Sequence, residues 1–279
     1  LALRQYEAIW PQIEARVGPN MRLVLDEHIA ITDAALADDL ADTQSLSDAA
    51  HALLYADRPA QAAALVANWR ARPDAPQVLD EPLAWAINVA GYAFHDIGNI
   101  EASDAAMAEI GAADDGGEGW LVNFVINHAS ILVAQGRYEE GLVALARARS
   151  VAETGGSPYA QLIVARDHAC ALSRLGRQEE AMLELPALRE HLDASHEVGG
   201  AGLLCLGMED ELVAALTTAF ADEELAIRNN GLLQGDEFAL FYIDSQLPSV
   251  ADLVQNDVEL RALLERHVRS IPAEFAPIS

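Results

Sequence analysis

The 279 residues carry 44 acids against 17 bases, a formal charge of −27, and every base is arginine. Apolar residues reach 52%, which excludes a disordered chain, while no apolar run approaches the about 18 residues of a membrane-spanning helix, and the charge makes nucleic acid and anionic bilayers unfavourable partners. Alanine is abundant (53) and aromatics are scarce at 6%, a mix suited to close-packed helices rather than sheets.

In chain order, residues 3–17 and 21–41 read as two helices separated by Gly18-Pro19. The second shows an apolar face of Leu23, Ile29, Ala30 and Ala34, with Asp26, Glu27, Asp33 and Asp38 between them. Residues 1–42 are therefore expected to cap a stack of helix pairs. Four segments then repeat one pattern, a helix ending in a tight bend and a second helix opening on acids and alanine. They are Tyr55-Ala56-Asp57-Arg58-Pro59-Ala60-Gln61-Ala62, Asp96-Ile97-Gly98-Asn99-Ile100-Glu101-Ala102-Ser103, Ala134-Gln135-Gly136-Arg137-Tyr138-Glu139-Glu140-Gly141 and Arg174-Leu175-Gly176-Arg177-Gln178-Glu179-Glu180-Ala181. Their closing small residues, Ala62, Ser103, Gly141 and Ala181, lie 41, 38 and 40 positions apart. A weaker fifth copy is expected at Asp222-Glu223-Glu224-Leu225-Ala226.

The bends have a physical logic. Glycine accepts the left-handed conformation that ends a helix, and acids in the next first turn meet its positive dipole end. Breaker-rich stretches at residues 72–76, 114–119, 155–158 and 199–202 read as loops between units, leaving helix pairs near 43–71, 81–112, 119–153 and 158–194. Residues 203–233 read as helical. After Leu247-Pro248, the stripe Val250, Leu253, Val254, Leu260, Leu263 and Leu264 predicts a closing helical segment. Residues 271–279, with Pro272 and Pro277, are expected to be extended. The chain thus divides into capping helices (1–42), helix-pair repeats (43–195) and a degenerate repeat with closing helices (196–279). Cys170 and Cys205 match no disulfide framework and no metal spacing; two small buried hydrophobes is the favoured reading, with a single disulfide left open.

These bends resemble the tetratricopeptide repeat, whose second helix follows a Gly-x-Tyr-x-x-Ala turn. Gly136-Arg137-Tyr138-Glu139-Glu140-Gly141 departs from it only in its last residue, and Gly176-Arg177-Gln178-Glu179-Glu180-Ala181 replaces the tyrosine with Gln178. Gly91 and Phe94 also fall where the family carries its first-helix glycine and aromatic. The likeness covers residues 43–195, with a period of about 40 against the family's usual 34. It implies a bacterial, all-α, right-handed α-solenoid of stacked helix pairs, with first helices lining a concave groove. The resemblance further implies ligand contacts from first-helix positions: His51 and Tyr55 in the first unit, Trp85, Asn88, Tyr92 and His95 in the second, Asn123 and Ser130 in the third, Arg166, Ser173 and Arg174 in the fourth. Aromatic surface, amides and arginines suit an extended peptide with aliphatic side chains and an acidic end.

Enzymatic readings are weaker. His95-Asp96-Ile97-Gly98 resembles the core of the metal-dependent His-Asp phosphohydrolases, for which His51 and Asp167 would be the further ligands, but Gly98 is already accounted for as a repeat bend. His128 and His168, forty positions apart, read as hydrogen-bonded core residues rather than a metal pair. The expected function is therefore non-catalytic: a scaffold without cofactor or metal, binding a protein or peptide segment in its groove. A phosphohydrolase on His95-Asp96, or a structural module whose groove is filled by its own ends or a second copy, are the alternatives. Since the chain opens on Leu1 rather than Met, an exported, signal-cleaved periplasmic protein is preferred over a cytoplasmic one.

Overall fold

The computed structural model describes residues 2–17, 21–75, 78–113, 119–235, 238 and 245–275. Among them the regular structure is helical, and the one β-type pairing is an isolated antiparallel bridge between Leu3 and Val268. The expected all-α class holds. Gly18-Pro19, Pro76, residues 114–118 and Pro277, which figured in the expected breaks and tail, lie outside the described residues.

Arg4–Ile9 forms a 3-10 helix that runs into α1 (Trp10–Val17). In α2 (Met21–Asp38) the buried face is Ile29, Thr32 and Leu36, whereas Leu23 is 63% exposed and Ala30 and Ala34 face solvent. The polar Thr32 belongs to this face because its hydroxyl donates to the Ile29 carbonyl at 3.0 Å, so burying it leaves no unmet hydrogen bond. Apolarity alone misplaced the stripe.

The predicted pairs are α3 (Thr43–Tyr55) with α4 (Pro59–Arg70), α5 (Glu81–Asp96) with α6 (Ile100–Gly111), α7 (Leu121–Ala134) with α8 (Tyr138–Gly155), and α9 (Pro158–Arg174) with a broken partner. That partner is α10 (Gln178–Ala181), a 3-10 turn Met182–Glu184, and α11 (Leu185–His191). Pro186 interrupts what the sequence suggested was one helix, because it has no N–H to donate back along the turn. Side chains of Asp42, Asp80, Asn99 and Ser157 cap α3, α5, α6 and α9 by accepting first-turn N–H bonds.

The bends between paired helices are nearly superimposable in their hydrogen bonding. Asp57, Gly98, Gly136, Gly176 and Gly207 all have positive φ, from 56° at Asp57 to 77° at Gly98 and Gly136. In each, the N–H of that residue donates to the carbonyl three positions back, and the next N–H donates to the carbonyl five positions before it, as in Gly98 to His95 (2.8 Å) and Asn99 to Phe94 (2.8 Å). These paired bonds satisfy carbonyls that a helix end otherwise leaves open. Four bends are those expected. The fifth falls at Gly207, between α12 (His196–Cys205) and α13 (Glu209–Ala221), with Gly207 donating to Leu204 and Met208 to Leu203. Asp222, where the fifth copy was expected, instead caps α14 (Glu223–Arg228).

The 199–202 stretch is not a loop: Gly199, Gly200 and Gly202 lie buried inside α12. A Cβ on Gly202 would stand 2.7 Å from Leu188 Cδ2 and 3.3 Å from the Arg166 backbone, and one on Gly200 would stand 2.9 Å from both Leu212 and Val250. Here glycine permits close helix approach, a role with the same composition as a loop. Gly202→Ala is expected to destabilise by about 1–3 kcal/mol through overpacking, read as a lowered midpoint of chemical denaturation; an unchanged midpoint would show that Leu188 yields freely.

The chain forms two compact units. One is built on Val17–His128, in which α3 packs on α2, α4 and α5, and α5 in turn packs on α4 and α6. The other draws on Leu1–Arg16, Ala129–Gly235 and Asp244–Pro272. At its centre α9 packs on α8, α10, α11 and α12, and Cys170 of α9 is joined to Cys205 of α12 by a disulfide, in place of two separate hydrophobes. The closing stripe forms α15 (Val250–Asn256) and α16 (Val258–Leu264), separated by the capping Asp257, with Val250, Val254, Leu260 and Leu264 in the core. Beyond α16 the chain returns to the N-terminal segment: Arg269 pairs with Glu14 at 2.6 Å and stacks on the Trp10 ring at 3.6 Å. The tail is not extended throughout, since Ala273–Phe275 turns as a 3-10 helix.

Candidate functional site

In the unit built on Val17–His128, α2, α3 and α5 surround a recess of about 670 Å³. His51, Tyr55 and Trp85 line it, with His28, Thr32, Gln44, Ser47 and Asp48. The His51 ring lies 5.7 Å from Tyr55 and 6.2 Å from Trp85, and Trp85 meets Phe124 edge-on at 4.8 Å. One turn back on α3, the Ser47 carbonyl accepts from His51 Nδ1 at 2.8 Å, which puts the proton on Nδ1 and orients the ring. Gln44 donates to Asp48 at 2.8 Å. Polar and aromatic side chains thus follow one another along one face of α3, with Trp85 of α5 beside them. His28 and Thr32 were missed because α2 was read as a cap, and Asp48 because it falls between the register positions assigned to ligand contacts.

The remaining expected groove residues in this unit divide. Asn88 is buried and accepts from the Asn127 amide at 3.1 Å, so it bridges helices rather than facing a groove. Tyr92 is half-buried, Asn123 is exposed, and His95 is half-buried beside Asp96, with His95 Nδ1 3.8 Å from the carboxylate. Burial raises the Asp96 carboxyl pKa, against the pull of His95.

In the other unit, expected groove residues mostly serve the fold. Asp167 is fully buried and accepts from Ser130 Oγ at 2.5 Å and Arg166 Nε at 2.7 Å. Burial opposes the Arg166 charge, but Asp167 together with Tyr159 and Glu197 outweighs it and raises the arginine pKa. Ser173 Oγ donates to the Cys205 carbonyl at 2.7 Å, and Arg174 donates to the Gln246 carbonyl at 3.2 Å. The Gln246 N–H donates in turn to the Ala134 carbonyl at 2.8 Å, so the chain's own segment takes up the end of α9.

The His-Asp tetrapeptide gathers no ligand set. His51 is tied to Ser47, Asp167 to Arg166 and Ser130, and among the described residues no group of three or more His, Cys, Asp or Glu could hold a metal ion. His128 packs where a Cβ on Gly111 would lie 2.8 Å from its Nδ1. His168 makes a backbone hydrogen bond with Leu145, and burial lowers its pKa first, with the Arg149 charge adding to the effect. No helix among the described residues is long and apolar enough to cross a membrane. No family model, curated protein or solved structure matches this chain.

Proposed function

We propose that the chain is a non-catalytic binding module of tetratricopeptide-repeat type, its helix pairs successive turns of an α-solenoid, which holds an extended peptide segment in the recess of α2, α3 and α5. The observation that carries this reading is the recess itself: His51, Tyr55 and Trp85 on two adjacent first helices, beside the polar Gln44, Ser47 and Asp48. Five bends with the same paired hydrogen bonds support the repeat assignment. Aromatic side chains supply contact area at low entropy cost, and the polar ones can meet a peptide backbone. A formal charge of −27 favours a neutral or basic segment, with association that slows as salt rises. The Cys170–Cys205 bond fits an oxidising compartment and an exported protein.

Selection of a random peptide library on the immobilised protein tests this. Enriched peptides are expected to carry basic and aliphatic residues, and to lose about 30-fold or more in affinity on the His51→Ala/Tyr55→Ala double variant, the scale of an aromatic hot spot. Circular dichroism establishes that the variant is folded. Peptides that bind it equally well would place the interaction surface elsewhere. The Arg174–Gln246 contact favours a second reading, a module filled in part by its own chain; enrichment of no peptide at all would favour that one.

A further inference from the structure

A second recess, of about 300 Å³, lies where α12 begins and α14 ends. It shares no residue with the aromatic one and no sequence motif marked it. Its walls include His196, Asn229, Asp193, Leu225, Leu232 and Gly231.

Two buried polar side chains define its chemistry. His196 is 4% exposed and Asn229 8%. The Asn229 amide orientation is fixed, because Nδ2 donates to the Leu225 carbonyl at 2.8 Å, which only the nitrogen can do. The same nitrogen lies 3.3 Å from His196 Nδ1, so Nδ1 is the acceptor and the imidazole proton sits on Nε2. Burial lowers the His196 pKa, against the opposing pull of Asp193, in keeping with a ring carrying one proton. Among the described residues neither His196 Nε2–H nor Asn229 Oδ1 has a hydrogen-bond partner; the carboxylate nearest Nε2 is that of Asp193, at 4.0 Å. Neither atom is among the fully buried polar atoms without a partner, so both keep solvent contact, and a ligand group can exchange places with water at each.

We propose that this recess binds the amino-terminal residue of a peptide through its α-ammonium and first carbonyl. The carbonyl accepts from His196 Nε2–H, and the ammonium donates to Asn229 Oδ1 and to the Asp193 carboxylate at the mouth. Leu225 and Leu232 supply an apolar wall for an aliphatic side chain. A carboxylate ligand fits less well, because Asp193 and Glu197 both line the recess and the only arginine among its described walls, Arg228, is held by Glu224 at 2.5 Å. The volume, at the small end for ligand pockets, admits one residue rather than a longer segment.

The test is a titration of the full chain, with histidine ring resonances followed by NMR, using leucinamide, N-acetyl-leucinamide and leucine. Leucinamide is expected to shift one imidazole saturably at millimolar concentration, and that resonance is absent in His196→Phe. N-acetylation, which removes the charge, is expected to weaken binding about tenfold or more, as is the added carboxylate of leucine. Gly231→Phe is a second variant: a Cβ there meets nothing within 4 Å, so a side chain can be added at the recess without unfolding the wall, and binding is expected to fall. No saturable shift with leucinamide, equal binding of the acetylated form, tighter binding of leucine, or undiminished binding by Gly231→Phe would each overturn the proposal. All three ligand comparisons use the unaltered chain, so a poorly folded variant leaves the proposal falsifiable.

Discussion

Replacing Cys170 and Cys205 together with alanine is expected to lower stability by about 2–4 kcal/mol, seen as a thermal midpoint lower by on the order of 10 °C. The bond closes a loop between positions 35 apart, and constraining that loop in the unfolded chain is worth roughly 3–4 kcal/mol on the chain-entropy account. Its place makes the effect felt widely, since α9 touches α8, α10, α11 and α12, and the bond ties it to α12. Alanine is the suitable replacement because Cys170 is fully buried, where a serine hydroxyl would add the separate cost of an unmet hydrogen bond. Thiol titration of the unfolded protein, with and without reductant, counts the bond directly. A double variant that melts with the oxidised wild type would mean that the bond contributes nothing beyond the packing around it.

How far the sequence foretold this molecule depends on whether the cause of each feature is local. The bends were legible because positive φ selects glycine almost regardless of surroundings, and Gly98, Gly136 and Gly176 stood in phase. Gly207 was equally local but stands only 31 positions after Gly176, so a search in steps of about forty passed over it to the acids at Asp222. Gly199, Gly200 and Gly202 show the limit of composition, since glycine ends helices and also lets them touch; only the facing Leu188, Leu212 and Val250 decide which. The break at Pro186 could have been read from the proline alone. Of the site, the aromatic triad His51, Tyr55 and Trp85 was reached through a register borrowed from a resembled family. The recess at His196 was out of reach, because its chemistry depends on an amide 33 positions away whose orientation is set by a third residue, Leu225.

Arg166→Ala is expected to cost about 3–5 kcal/mol, more than either Gly202→Ala or loss of the disulfide, because it strands a buried charge. Asp167 has no solvent exposure, and its partners are the Arg166 guanidinium at 2.7 Å and the Ser130 hydroxyl at 2.5 Å. Arg166 was expected in the groove from the register of the resembled family and Asp167 only as a further metal ligand; neighbouring positions on a helix normally point apart, so nothing in the sequence joined the two. Once Arg166 is gone, the buried carboxylate keeps one hydrogen bond, from Ser130, and loses its paired guanidinium, which costs stability. Removing the whole pair is a different matter. Arg166→Met with Asp167→Leu eliminates the charge along with its partner, and buried ion pairs replaced by apolar groups of similar size are often neutral. The double variant is therefore expected to be more stable than Arg166→Ala alone, although Ser130 then lacks its acceptor, at a cost of roughly 1–3 kcal/mol. Urea denaturation of the two variants beside the wild type measures this ordering. If Arg166→Ala matches the wild type, Asp167 is satisfied without its arginine, and Arg166 returns as a candidate for ligand contact; if the double variant is the less stable, the pair contributes more than compensation of its own burial.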